Sequence, residues 1–277
     1  IEDAVKIALG NNYEIKIATN ELTIDKTNVS AGNAGMLPKA TASIIDNNSI
    51  INLSQTRTDG TVNSLDNAKN NSLSYGVNLD WTVFDGFKMF AKREQLKEIE
   101  QLGNTELKFT ILSKVGDVLE TYYQIVQQQQ QLKVFDSTLL ISKLRLNLAK
   151  NRYTIGKASK LEALNAEVDL NTDTTNLLRQ KELYANTKTV LNELLARDVT
   201  TDFRALEEVN IDKGLLYADL KEKVSSQNPQ LQIQLLNKRI AELSLKQIKG
   251  DRYPIIELTS GYNFTRSESS LGFIAQS

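Results

Sequence analysis

The chain has 277 residues, 40% of them apolar, which is enough to bury a sizeable core. Its 33 Lys and Arg against 34 Asp and Glu leave a net charge of −1, so there is no electrostatic reason to expect a nucleic-acid partner. It holds neither Cys nor His, which excludes disulfides, thiolate metal sites, Cys nucleophiles and Ser-His triads.

Only Pro38, Pro229 and Pro254 interrupt the chain as prolines, so very long helices are permitted. No run of about 18 apolar residues occurs, so no membrane-spanning helix is expected. The chain opens Ile1-Glu2-Asp3-Ala4, already in a helical pattern. The expectation is a cytoplasmic protein or one whose export signal has been removed.

Residues 1–36 carry a helical period, and Pro38 ends it. Residues 38–54 read as a strand and 55–72 as a polar loop rich in Asn, Thr, Ser and Asp around Gly60. Residues 73–84 alternate: Tyr75, Val77, Leu79, Trp81 and Val83 share one face, and Ser74, Gly76, Asn78, Asp80 and Thr82 the other. From Lys88 to Ile155 there is no Pro, and Ile111, Val118, Ile125, Leu132, Leu139, Leu146 and Tyr153 recur every seven residues. Such spacing predicts a coiled-coil seam along one long helix, stopped by Gly156. A second helix over 158–196 carries Ala163, Leu170, Leu177, Tyr184 and Leu191 at the same spacing.

An internal repeat organises these elements. Asn11-Asn12-Tyr13-Glu14-Ile15-Lys16-Ile17 matches Gln227-Asn228-Pro229-Gln230-Leu231-Gln232-Ile233 at an offset of 216, and the same register places Pro38 on Pro254. Past Pro254, Ile256, Leu258, Tyr262 and Phe264 alternate with Glu257, Thr259, Gly261, Asn263 and Thr265. At 1.5 Å per residue, 88–155 spans roughly 100 Å, while 1–36 and 158–196 span roughly 54 and 58 Å. The two shorter helices therefore equal the long one end to end, which predicts a rod or tunnel.

These residues resemble the TolC-like outer-membrane efflux protein family. The resemblance is carried by Asn12-Tyr13-Glu14-Ile15 and Gly35-Met36-Leu37-Pro38-Lys39-Ala40, by Leu79-Asp80-Trp81-Thr82-Val83-Phe84-Asp85-Gly86-Phe87, and by Arg152-Tyr153-Thr154-Ile155-Gly156-Lys157-Ala158-Ser159-Lys160-Leu161-Glu162. It implies a mainly α fold with a β-barrel portion: long antiparallel coiled-coil helices of a periplasmic tunnel, and strands of a barrel shared by a homotrimer. Two structural repeats are expected, the second truncated at Ser277, so the chain is read as part of a longer protein. The implied divisions are tunnel helix 1–36, outer-membrane β-hairpin 37–87, long tunnel helix 88–156, tunnel helix 157–196, equatorial linker 197–214, second-repeat helix 215–253 and the start of a second hairpin at 254–277.

The function implied is that of an exit duct of a tripartite efflux or type I secretion system in the Gram-negative outer membrane, passive toward small molecules or proteins. Its implied partners are a periplasmic adaptor, an inner-membrane pump and outer-membrane lipid. By the same resemblance the adaptor docks at Arg152, Tyr153, Thr154, Ile155, Gly156, Lys157, Ala158 and Ser159. The alternation predicts that Tyr75, Val77, Leu79, Trp81 and Val83 face lipid and that Asn78, Asp80 and Thr82 face the lumen. No catalytic residue, metal ligand or cofactor is expected, and the chain is not read as an enzyme.

Blander readings compete at single features. The Gln127–Gln131 run is expected to be a solvated helix face. Asp80 and Asp85 are read as a lumen residue and an exit residue rather than a metal or catalytic pair. Glu162, Glu167, Asp169 and Asp173 are read as coiled-coil surface charge rather than a cation path. Lys246, Lys249, Asp251 and Arg252 receive no binding role. The alternative for the whole chain is a coiled-coil structural protein of the cell envelope without transport activity, which explains the heptads but not the alternating strands.

Overall fold

A computed structural model describes residues 1–207, 214 and 217–270. The elements in chain order are α1 (Glu2–Asn11), α2 (Tyr13–Asn28), β1 (Lys39–Thr56), β2 (Val62–Phe84), α3 (Lys88–Thr154), α4 (Lys160–Leu194), α5 (Tyr217–Gln227), α6 (Pro229–Gly250) and β3 (Ile256–Ser269). They fall into two compact units, one of residues 1–25 and 101–236, the other of residues 26–100 and 237–277.

The first unit is helical. Its core joins Ala8 of α1, Val118, Tyr122, Ile125 and Val126 of α3, Leu191 at the end of α4, and Leu195 and Ala205 beyond it. Val118, Ile125 and Leu191 belong to the heptads read from the sequence, and all three are essentially water-free. Leu146, Ala163 and Leu177 continue the same α3–α4 seam as buried residues. Along α3, α2 lies beside the stretch at Gly103 to Lys114, where Lys114 pairs with Glu14 at 2.7 Å. Beyond Ile125, α4 takes over that role, with Gln128 Nε2 donating to Thr187 Oγ1 at 3.0 Å and Arg152 pairing with Glu162 at 2.8 Å.

The helix expected over 1–36 is two helices. The chain breaks at Asn12, whose ψ of 129° is extended, and α2 ends at Asn28 in turns stabilised by Ser30 and Asn33. The helix expected over 215–253 breaks likewise at Asn228, ahead of Pro229, and ends at Gly250. Asn at these positions satisfies the first free N–H groups of the following helix, which favours a break over continuation. Of the linker expected at 197–214, residues 208–213 lie outside the described residues. Before them, buried Asn192 donates to the carbonyls of Val199 and Thr201, both at 2.9 Å, and accepts from Arg197 Nε at 2.7 Å.

The second unit carries a three-stranded antiparallel sheet in the order β1-β2-β3. The hairpin is longer than the sequence indicated. The segment expected as a loop, 55–72, is strand except for a tight turn at Arg57–Thr61, where Gly60 takes φ +84° and Asp59 accepts from Thr61 N. Residues 62–72 are mostly polar, with Val62, Leu65 and Ala68 spaced by three rather than two, so they show no alternation, yet their backbones pair from Thr56↔Val62 to Asn48↔Asn71. One bulge interrupts the ladder: two β2 residues oppose Asn52, whose Oδ1 accepts Asn67 N at 2.7 Å while Asn67 sits at φ +57°. The second hairpin expected at 254–277 begins as β3, and residues 271–277 lie outside the described residues.

Candidate functional sites: the sheet faces and the helical turn

The strand register decides which side chains share a face. Tyr75 lies between Ile44 of β1 and Phe264 of β3, and its ring stacks on Phe264 with centroids 5.5 Å apart. Val77 lies between Ala42 and Tyr262, Leu79 between Ala40 and Ser260, and Trp81 beside Leu258. This face is thus apolar over the five β2 residues singled out by alternation. Tyr75, Val77 and Val83 are about half exposed, while Leu79 is half-buried. Trp81 anchors one end by donating Nε1–H to the Met36 carbonyl at 3.1 Å. At the other end the next row is Asp46–Leu73–Arg266, and Arg266 pairs with Glu268 at 2.6 Å. Charge therefore bounds the apolar band on that side.

The opposite face carries Asn78, Asp80 and Thr82. Asn78 and Thr82 are half-buried although small and polar, while Asp80 is exposed. Gly76 lies opposite Asn263 and Gly261 opposite Asn78, and Asn263 Nδ2 donates to Asn78 Oδ1 at 3.1 Å. A Cβ at Gly261 would meet Asn78 Oδ1 at 2.5 Å, so the glycine lets the amide lie flat on the sheet. Asp80 sits opposite Lys39 and Thr259. Asp85 is not its partner: Asp85 Oδ2 accepts Met89 N at 2.8 Å and caps α3.

The turn between α3 and α4 is built from backbone geometry. Gly156 takes φ +74°, its N–H bonds the Tyr153 carbonyl at 3.0 Å, and Lys157 N bonds the Arg152 carbonyl at 2.8 Å. These bonds satisfy carbonyls left free by the helix end. Ser159 Oγ accepts Glu162 N at 3.3 Å and caps α4, and the Arg152–Glu162 pair closes the turn across its neck. Tyr153, Ile155 and the other turn residues are exposed apart from half-buried Ala158, and nothing lies within 4 Å of a Cβ built on Gly156.

Of the four acids of the possible cation path, Glu162 and Asp169 share a groove that neither Glu167 nor Asp173 lines. Glu162 is bound to Arg152, Asp173 accepts from Ser142 Oγ, and Asp169 lines a groove of about 330 Å³ with Glu162, Arg145 and Asn165. The glutamine run is the solvated face expected of it only in part: Gln127, Gln130 and Gln131 are exposed. Gln129 is buried and donates to Tyr184 OH, Gln128 donates to Thr187, and Gln130 to Glu207. Consecutive helical positions sweep 100° each, so a run of Gln cannot all face water. Two features escaped sequence reasoning. Glu21, Asp25 and Glu106 gather around Gly103 in a cavity of about 360 Å³, where burial, then Asp25 and Glu21, raise the Glu106 carboxyl above its ordinary range. Phe87, at φ +68°, packs with Phe84, Phe90 and Tyr253 where the strands meet the helices.

A curled antiparallel sheet with one apolar and one polar face, joined in sequence to heptad helices, is the fold of outer-membrane channels. The chain superimposes on the outer-membrane channel OprN with a TM-score of 0.74 at 14% identity, over 97% of this chain and 63% of that one. For the CmeC outer membrane channel of Campylobacter jejuni the values are 0.71 and 15%, over 99% and 61%. For the open state of the MtrE channel of Neisseria gonorrhoeae they are 0.67 and 14%, over 99% and 63%. The chain thus spans about six-tenths of the length of each. No curated protein sequence matches it. The model of the outer membrane efflux protein family matches residues 4–197, more than half of the chain, and the chain belongs to that family. That membership places it in the outer membrane of a Gram-negative bacterium, reaching into the periplasm.

Proposed function

We propose that the chain is the barrel-and-tunnel part of a homotrimeric exit duct, a passive conduit without a catalytic step. It works with a periplasmic adaptor and an inner-membrane pump. The observation that carries this reading is the sheet itself. It has three strands with an unpaired edge on β1 and another on β3 among the described residues, and its outer face is apolar. Open edges are not tolerated in lipid, so further strands must close the barrel, and in this reading other copies of the protein supply most of them. Tyr75 to Val83 covers about 27 Å along the strand, close to the apolar band of membrane barrels once strand tilt is allowed for. In this reading Tyr75, Val77, Leu79, Trp81 and Val83 face lipid, and Asn78, Asp80 and Thr82 face the lumen. The matching breaks at Asn12 and Asn228 and the prolines that precede β1 and β3 support a duplicated architecture. The exposed turn Arg152–Ser159 receives the adaptor.

These 277 residues hold no Cys, so a cysteine-free background of the full protein allows a direct test. In the full protein in outer membranes, Asn78→Cys should react with a water-soluble maleimide that enters the lumen, and Val77→Cys should not. Equal labelling of both, or a monomer in solution after gentle extraction, sinks the proposal. The coiled-coil structural alternative has no use for a sheet with an exposed apolar face.

A further inference from the structure

The segment that follows α4 is clamped onto α3 and α4 and walls an open basin. Asn192 holds the Val199 and Thr201 carbonyls, and Tyr122 OH accepts the Leu206 N–H at 2.9 Å. Lys133 pairs with Glu207 at 2.7 Å, and Lys188 pairs with Asp202. The basin holds about 460 Å³ between α3, α4 and residues 202–207.

Three observations define its chemistry. The walls combine cations with apolar rings: Lys188 Nζ lies 4.9 Å from the Phe203 ring centre and 5.4 Å from that of Tyr184, and the Arg197 guanidinium lies 4.7 Å from Phe203. Arg204, in the same wall, is only loosely engaged. Its side chain is 77% exposed and reaches Glu207 at 3.7 Å, while Glu207 is already held by Lys133 at 2.7 Å and by Gln130 Nε2 at 2.7 Å. A guanidinium offers five N–H donors in a fork that fits a carboxylate, so Arg204 can take a second carboxylate without releasing Glu207. Gln129 also lines the basin, at only 8% exposure. Its Nε2 donates to Tyr184 OH at 3.1 Å, but its Oε1 is buried with no partner. An unpaired buried acceptor is destabilising, and a donor brought to it recovers that loss.

We infer that this basin binds a small organic carboxylate whose body carries an N–H or O–H donor beside an apolar or aromatic group. The carboxylate takes Arg204, the donor takes Gln129 Oε1, and the apolar part lies against Leu132 and Phe203. A bare inorganic anion would leave that apolar wall unused. The inference adds a ligand to a chain otherwise read as a passive duct, and it does not depend on which face of the sheet meets lipid.

The test is calorimetric titration of the full purified protein with N-acetyl-L-phenylalanine, which carries a carboxylate, an N–H and a ring. The parent should bind it saturably, one molecule per chain. N-acetyl-L-phenylalaninamide keeps the ring and the N–H but has no charge, and it should bind about tenfold more weakly. Arg204→Gln should weaken binding of the acid by about the same factor. Gln129→Leu should lose affinity for N-acetyl-L-phenylalanine and keep it for 3-phenylpropionate, which has the carboxylate and ring without the donor. A basin damaged by the substitution would lose both, so the pair separates a lost hydrogen bond from a lost fold. No saturable binding of either acid overturns the site. So does equal affinity for acid and amide, unchanged binding by Arg204→Gln, or inorganic phosphate binding as tightly as the acids. Any of these leaves the conduit reading standing, because the maleimide test of the lumen does not involve this basin.

Discussion

Asn12 and Asn228, 216 positions apart, cap their helices with the same pair of hydrogen bonds. Asn12 Oδ1 accepts the N–H groups of Glu14 at 2.9 Å and Ile15 at 3.3 Å; Asn228 Oδ1 accepts those of Gln230 at 2.9 Å and Leu231 at 3.4 Å. Asn12 does one thing more: its Nδ2 donates to the Leu194 carbonyl at 2.9 Å, tying α1–α2 to the end of α4. Asn228→Ala should therefore cost about 1 kcal/mol, the usual loss of a cap. Asn12→Ala should cost about 1–2 kcal/mol more, because a part-buried carbonyl loses its donor. Asn12→Asp keeps the cap and loses only the donor, so it should fall between. Denaturant unfolding followed by helical circular dichroism ranks the three, and equal costs for both alanines would contradict the extra tie.

The sheet yields a paired prediction. Leu79 lies midway along the apolar band, between Ala40 and Ser260, while Asn78 lies on the opposite face against Asn263. Leu79→Arg should cost about 2–4 kcal/mol for a cation near the bilayer midplane, and Asn78→Arg much less. Reversible unfolding from vesicles gives the free energies, and outer-membrane trimer abundance gives the consequence in cells. A larger loss at Asn78 would invert the assignment of the two faces.

Periodicity explains how much was legible. The heptads placed Val118, Ile125 and Leu191 in the core because a repeat near 3.5 keeps one stripe turned toward a partner helix. Strict alternation placed Tyr75 and Val77 on one face of β2 for the same kind of reason. Where both faces of an element meet water, the signal vanishes, so Asn63, Asn70 and Asn71 looked like loop although they are paired strand. Breaks at Asn12 and Asn228 hid inside helical periods because a cap changes one residue's ψ and leaves the pattern intact. The buried contacts of Gln128 and Gln129 depend on Tyr184 and Thr187, more than fifty residues away, which composition cannot report.

Two carboxylates should respond to pH in opposite senses. Burial, with Asp25 and Glu21 nearby, raises Glu106 above its ordinary value. Its folded state holds a proton more tightly than the unfolded chain, so its destabilising effect is present at neutral pH and disappears as pH falls below the ordinary glutamate range. Glu106→Gln should thus be more stable than the parent at neutral pH, by under about 1 kcal/mol for so exposed a group, and equal to it in acid. Asp202 is lowered, first by its hydrogen bond to Lys188 and then by the charge of that lysine. Its contribution is present above the ordinary aspartate range and lost as pH falls through the lowered value. Asp202→Asn should be less stable than the parent at neutral pH only. Unfolding midpoints at neutral and acid pH check both signs; a Glu106→Gln loss at neutral pH would refute the first.

The turn at Gly156 gives the sharpest test of partnership. Its φ of +74° strains any L residue there, by about 1–2 kcal/mol, but the space around it is open, with nothing within 4 Å of an added Cβ. A bulky side chain therefore projects outward without displacing Arg152, Glu162 or Ser159, and the two long helices keep their seam. If the adaptor's backbone approaches this turn closely, Gly156→Trp should block docking and abolish efflux, while trimer assembly and membrane insertion persist. If Gly156 serves only to end α3, efflux should survive or fall in proportion to protein level. Gly156→Ala controls for the backbone term: it carries the same strain with almost no bulk, so it should retain efflux when docking is the reason for the glycine. Drug susceptibility measured beside folded-trimer abundance for both variants separates the outcomes. A Gly156→Ala variant as defective as Gly156→Trp would assign the effect to the helix end rather than to the partner.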